Sequence, residues 1–545
     1  MSAARNYLAL DLGAESGRAI LGILKEGRLD LQEIHRFPNS PCKAGGHLYW
    51  DSLKLFEEMK RGLGLAFQQA GGHLESLGID TWGVDFGLID AAGELLGNPV
   101  HYRDARTDGI FEKAFDVVPR AEIFQQTGIQ FLQFNTLFQL FAMRRAGSPM
   151  LEIADRLLMM PDLFNFWLTG EKAQEYTNAT TTQCYDTGKR EWAEELISRF
   201  NLPRKIFGEV ASTGTIIGDV RARVREELGI GSVKVALPAT HDTGSAVIAV
   251  PARGENWAYI SCWTWALIGA ETREPVIDEK SLRFNFTNEG GAFGTNRLLC
   301  NVMGLWLLQQ ARKSWSKGGK EISYDEIVGA AREAKGHAAW IDPDDQRFFN
   351  PADMVEAIAS YCVATNQSPP DSLGSVARCI IESLAMKYRL KIEHIEEMTG
   401  RKIDVIHIVG GGSRNELLCE ATADACGRLV LAGPAEATAM GNVLVQAAAT
   451  GELDGVDEVR AVSRASSEMK EYQPRDREAW NQGYEVFRGR VGMMEVGETR
   501  TIRTSRTART DTDGQGRKGD SNFENVKFEK KRKVSMARRR KEDKN

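Results

Sequence analysis

The sequence predicts an α/β protein built from two related halves around a shared cleft. Short apolar runs broken by glycine alternate with longer stretches of helical spacing, the signature of strands and helices packed in layers. The pattern starts twice, once at the N-terminus and again near Gly254. Beyond about Gly497 apolar residues become scarce, and a basic tail that composition assigns to disorder begins.

In order, Tyr7–Leu12, Arg18–Ile23 and Leu29–Phe37 read as three strands in a meander, the first two split by a glycine-bearing turn. Ser52–Ala70 has apolar residues at close to helical spacing. Ser76–Asp80 and Trp82–Ile89 form a strand and turn, and Val233–Leu237 is strand-like, with Pro238 as a break. In the second half, Ala258–Ala270 is strand-rich and interrupted at Thr264, whereas Leu298–Arg312 and Ser372–Glu397 read as helical. Ile403–Val409 is a buried strand running into three glycines. A helix over Ser413–Cys426, a strand over Leu429–Leu431 and a helix over Ala437–Thr450 complete the half.

The 545 residues carry a formal charge of −6, unevenly spread. Residues 500–545 hold 16 Lys and Arg against 7 Asp and Glu, a charge of +9 that leaves −15 on the rest. An acidic body lacks the clustered cations that nucleic-acid binding needs, and the basic cluster of the tail reads as a solvated appendage. The eight cysteines include no C-x-x-C pair, so zinc spacing is absent and reduced, mostly buried thiols are expected. No apolar run reaches membrane-spanning length. The first residues run straight into a strand, so a cytoplasmic location is expected.

Four constellations carry chemistry. In Asp11-Leu-Gly-Ala-Glu-Ser-Gly-Arg18, glycines let backbone approach a ligand, Ser16 and backbone N–H groups suit phosphate oxygens, and Asp11 suits Mg²⁺. An ordinary hairpin with a turn aspartate fits equally well. Trp82, Gly83 and Asp85 suit a polyol site or, more plainly, a glycine bulge with a capping aspartate. His241-Asp242-Thr243 offers a base for a hydroxyl proton, with His241 as a hydrogen-bond donor; Thr240 or Asp242 as helix N-cap is the competing role. Gly410-Gly411-Gly412 after a buried strand suits a nucleotide lying on bare backbone, but it lacks the spacing of a dinucleotide fingerprint. The chain contains no P-loop.

Taken in order, these segments resemble the FGGY carbohydrate kinases, of the actin/hexokinase/Hsp70-type ATPase superfamily, and more narrowly their rhamnulokinase branch. The resemblance covers residues 5–485. It rests on DLGAESGR (11–18), IDTWGVDFGLID (79–90), YRDART (102–107), ATHDTGSAV (239–247), TNEGG (287–291), NVMGLWLLQ (301–309), IVGGGSRN (408–415) and AGPAEATAMGN (432–442). It implies two ribonuclease-H-like domains closing on substrate. The first, 1–248, would carry the sugar site and phosphate turn, and the second, 249–485, the nucleotide site; the disordered basic tail would be 497–545. It also implies ATP-dependent phosphorylation of L-rhamnulose at O1, the alternatives being L-fuculose or a pentulose, or a regulator that binds sugar and nucleotide without turnover.

By the same resemblance Asp242 is the catalytic base, and Gly83, His241, Asp242, Thr243 and Asn301 line the sugar site. Ala14, Glu15, Ser16, Gly17, Arg18, Thr264, Gln309 and Gly411 line the ATP site, and Asp11 helps to hold Mg²⁺. One departure stands out. Trp263 replaces a family glycine whose missing side chain allows backbone approach to phosphate, and it is expected to alter ATP affinity or loop geometry.

Overall fold

Strand Arg5–Leu12 is apolar on both sides: Tyr7 and Ala9 face one way, Leu8, Leu10 and Leu12 the other, and all five are buried. Such a strand must lie inside a sheet covered on both faces. The computed structural model describes residues 4–316, 319 and 321–490 and bears this out; the tail expected beyond residue 497 lies outside the described residues. Arg5–Leu12 pairs antiparallel with Ser16–Lys25 and parallel with Ser76–Thr81, and Arg28–Pro38 continues the meander. Ile216–Asp219 and Lys234–Ala236 complete six strands.

The second sheet repeats this plan. Trp257–Cys262 pairs antiparallel with Trp265–Thr272 and parallel with Val405–Val409, as its counterpart does in the first sheet. Asn296–Met303, Thr287–Gly290, Leu429–Ala432 and Lys470–Tyr472 bring it to seven strands. Both sheets thus pair a hairpin with a parallel strand, and both hairpin turns face the cleft described below.

On one face of the first sheet, helix Ser52–Gln69 buries Leu55, Met59, Leu63 and Ala66; Asp51 caps it by accepting from Lys54 N. The other face is covered from far along the chain by helix Ala437–Ala449, through Val443 and Leu444 against Tyr7, Ala9, Ile20 and Leu24. Polar bonds fix the register. Gln446 Nε2 donates to Leu8 O at 2.9 Å, its Oε1 accepts from Ser76 Oγ at 2.8 Å, and Asn442 Nδ2 donates to Asp80 Oδ2 at 2.5 Å.

The same helix packs on helix Asp242–Ile248, where Gly441 lies so close that a Cβ would sit 1.8 Å from Ser245 O. That neighbour is backbone and cannot swing aside. Gly441→Ala is therefore expected to destabilise by about 1–3 kcal/mol, read as a lower urea midpoint. It should also lower kcat, because the helix it displaces begins at Asp242. Gly329→Ala, a helical glycine whose added Cβ would meet nothing within 4 Å, serves as the control and should be neutral or mildly stabilising.

Most elements fall where the sequence puts them, the long helix Leu373–Thr399 included, with Ser372 and Ser375 forming its capping box. The exception is 298–312. Its first part is strand Asn296–Met303, an interior strand of the second sheet between Thr287–Gly290 and Trp265–Thr272, and only Trp306–Ser316 is helical. A strand buried on both faces shows no alternation, so Leu-Leu-Cys-Asn-Val-Met imitates a helix start. Seven of the eight cysteines are buried and none is paired. Among the described residues no helix is long and apolar enough to cross a membrane.

Candidate functional site

The cleft of about 490 Å³ draws its walls from both sheets. On its wall stand Gly83, His241, Asp242, Thr243 and Asn301, together with Asp11, Ala14, Glu15, Ser16, Arg18, Thr264 and Gln309. Two anticipated residues, Gly17 and Gly411, do not border it. A Cβ on Gly17 would meet the Phe37 ring at 2.3 Å, so this glycine makes room for packing.

Asp242 opens helix Asp242–Ile248, but the N-cap is His241, whose Nδ1 accepts from Thr243 N at 3.1 Å. Capping is thus assigned to its neighbour, although Asp242 Oδ1 also accepts from Thr243 N, at 2.5 Å. The Asp242 side chain is 31% exposed on the cleft. Gly83 accommodates the imidazole of His241, since a Cβ there would lie 2.8 Å from its Cδ2.

Next to Gly83, Val84 has φ +67°, a left-handed conformation costly for a β-branched residue. It is clamped there. Val84 N donates to Thr181 Oγ1 at 3.2 Å, and its carbonyl accepts from Thr136 Oγ1 at 2.6 Å. Asp85, for which the sequence suits a polyol site or, more plainly, a cap at a glycine bulge, faces inward and is fully buried. Its Oδ2 accepts from Trp50 Nε1 at 2.6 Å, Trp82 Nε1 at 3.1 Å and Tyr102 N at 3.1 Å, and its Oδ1 from Gln139 Nε2 at 3.0 Å. Burial pushes its carboxyl up to about 6, against the hydrogen bonds from Trp50, Gln139 and Trp82. Asp85 therefore holds Trp82 and Tyr102, both on the cleft wall, in place.

The glycine turn of the first sheet is a hairpin, Gly13 N donating to Ser16 O at 2.9 Å, and Asn39 Nδ2 holds Gly13 O at 2.8 Å. Asp11 ends the first strand beside Asp80, its register partner on the parallel strand. Arg18 Nη2 donates to Asp11 Oδ2 at 2.5 Å and Nη1 to Glu436 Oε2 at 2.5 Å, so this arginine bridges the two halves. Burial, the nearby Asp11 charge and a hydrogen bond to it push Asp80 well above the usual carboxylate range.

In the second sheet, Thr264 occupies the hairpin turn, and its carbonyl accepts from Gly304 N and Trp306 N, both at 3.1 Å. Gln309 follows one turn into that helix, and its Oε1 is buried without a protein partner. Asn301 donates through N and Nδ2 to Gln130 Oε1, each at 2.9 Å. Gln130, Asn135, Thr181 and Glu289 also line the cleft and were missed by sequence reasoning. Glu289 lies in the TNEGG segment, a signal already noted, whereas Gln130 and Asn135 sit in an aromatic-rich run with none.

Profile comparison matches the FGGY family of carbohydrate kinases, N-terminal domain, over residues 6–249, and the C-terminal domain over 258–450. A rhamnulokinase of Bacteroides thetaiotaomicron is 44% identical over 487 residues, 89% of this chain and 99% of its own. One from Bacillus subtilis is 39% identical over 470 residues, 86% and 96% of the two chains. Among solved structures, gluconate kinase from Lactobacillus acidophilus superposes with a TM-score of 0.76 at 15% identity, covering 90% of this chain and 99% of that one. Xylulose kinase from the same organism gives 0.74 at 15% identity, covering 90% and 98%. At that identity the two structures speak for the fold.

Proposed function

This chain belongs to the FGGY family of carbohydrate kinases, and from that premise we propose that it transfers the γ-phosphoryl group of ATP to O1 of L-rhamnulose. The observation that carries this reading is one cleft whose wall holds both a half-exposed carboxylate, Asp242, and the glycine hairpin turn. Relatives named rhamnulokinase, matched along nearly their whole length, support the choice of sugar.

Asp242 accepts the proton of the O1 hydroxyl as the new P–O bond forms, because a neutral alcohol is a poor nucleophile. His241 and Thr243 orient the sugar beside it, Gly83 leaves room for that imidazole, and Asn301 contributes an amide braced by Gln130. On the wall of the same cleft, the backbone of Ala14, Glu15 and Ser16 and the Ser16 hydroxyl receive phosphate oxygens. Thr264 and Gln309 contribute polar contacts from the second half. The unpartnered Oε1 of Gln309 suits a donor on the nucleotide. Within this proposal the halves change over at 248–249, and reaction takes place with the cleft closed to water.

The residues fit Mg²⁺. Asp11 faces the cleft, paired with Arg18, which it shares with Glu436; Glu436 also pairs with Arg414. Mg²⁺ binds few carboxylates and shares phosphate oxygens, and among the described residues no larger acidic cage occurs. Asp11 would hold the ion, which when bound supplies positive charge to the transferring phosphoryl oxygens.

ADP release with a panel of ketoses tests the proposal. L-Rhamnulose should give the highest kcat/KM, since a hydroxyl-matched site rejects mismatched analogues strongly. Equal or better turnover of L-fuculose or D-xylulose would move the protein to another sugar.

A further inference from the structure

We propose that Trp263 is the surface on which the nucleoside part of the phosphoryl donor rests, an aromatic plate lying over the glycine loop. This rests on the kinase reading above. Trp263 sits in the hairpin turn between Trp257–Cys262 and Trp265–Thr272, with its backbone tied on both sides. Its N–H donates to Trp265 O at 2.8 Å, and its carbonyl accepts from Leu305 N at 3.0 Å.

The indole spans two successive glycines. A Cβ on Gly410 would lie 2.4 Å from Nε1, and one on Gly411 would lie 2.8 Å from Cζ3. Gly412 packs in the same way on Cys262, whose Sγ would be 2.4 Å from an added Cβ. All three positions are thus bare because the 262–263 side chains lie on them. The indole is seated, and glycine backbone that could otherwise meet a nucleotide is covered. What remains for a ligand is the indole itself, 38% exposed and part of the cleft wall.

Its neighbours decide which ligand. Thr264 is the next residue, and Ser16 and Gln309 line the same cleft, so phosphates bound at Thr264 and the glycine turn lead the nucleoside toward Trp263. A flat, partly exposed indole offers stacking, and stacking tolerates any base because every base has a π-face. The donor site therefore discriminates little between adenine and guanine.

The test is calorimetric titration of ADP, GDP and inorganic tripolyphosphate into the full chain and its W263F, W263L and W263G variants, each checked by a thermal melt. The phenylalanine variant should keep most of the affinity. The leucine and glycine variants should lose ADP and GDP binding alike, by about 5- to 150-fold, with tripolyphosphate unchanged. Nucleotide binding as tight as wild type, or tighter, in the leucine or glycine variant would mean that the indole crowds the site, overturning the proposal. A parallel loss of tripolyphosphate would also overturn it, since Trp263 would then only shape the phosphate turn. The leucine variant decides if glycine leaves the chain unfolded. Wild-type turnover of L-rhamnulose with ATP separates the two failures: if it is present, only the plate is lost; if no nucleotide binds the wild type, the kinase reading fails with it.

Discussion

Asp242→Asn is expected to lower kcat by about 10²–10⁴, the range that general-base catalysis contributes. Thermal stability and nucleotide affinity should barely move. Asn keeps the volume and retains an oxygen to accept from Thr243 N. The helix also keeps its N-cap, because His241 supplies that bond. The substitution therefore removes a proton acceptor and little else. Measurement of kcat beside thermal melts and ADP titrations checks it. Turnover above about a tenth of wild type would remove Asp242 from the role of base.

Asp85→Ala should be the most destabilising of the substitutions considered, with activity lost alongside. It orphans the indole N–H groups of Trp50 and Trp82 and the Tyr102 amide, all buried, whereas Gln139 Nε2 keeps Val84 O and Phe134 O as acceptors. Each such group costs about 1–3 kcal/mol, so the total is on the order of 4 kcal/mol or more, among the largest single-residue effects. Asp85→Asn should be milder, since one oxygen can still serve the three donors that now share Oδ2. The difference also depends on pH. The folded carboxyl titrates at about 6, above its ordinary value of 3.8. Its contribution to stability is therefore fully present below 3.8 and is lost as pH rises through about 6. Urea unfolding from pH 4 to 7 should show wild type losing stability relative to Asp85→Asn over that window. A pH-independent gap would mean that Asp85 does not titrate there.

Much of this was legible because local chemistry fixed it. The three N-terminal strands are punctuated by glycine turns, and the long helix announces its start with Ser372 and Ser375. The helix at Asp242 was legible too, but not which residue caps it, since histidine seldom takes that place. For Asp85 the sequence left a polyol site and, more plainly, a capping aspartate at a glycine bulge, and it is neither a cleft residue nor a cap. Only the fold shows that the carboxylate points at Trp50, a residue 35 positions away. Trp263 could be seen to replace a glycine, but its seat on Gly410 and Gly411 needed the pairing of Trp257–Cys262 with Val405–Val409. The strand at 296–303 was misread because periodicity vanishes when both faces are buried.

Helix Ala437–Ala449 has a consequence for how the chain is made. It covers the apolar face formed by Tyr7, Ala9, Ile20 and Leu24, and it supplies Gln446 and Asn442 to polar groups of the first sheet. On a ribosome the first sheet emerges long before residue 437 does, at a synthesis rate of about 5–20 residues per second. For all that time one of its faces stays wet and apolar. The nascent N-terminal half thus carries an uncovered apolar face until the last part of its core arrives from residues 437–449.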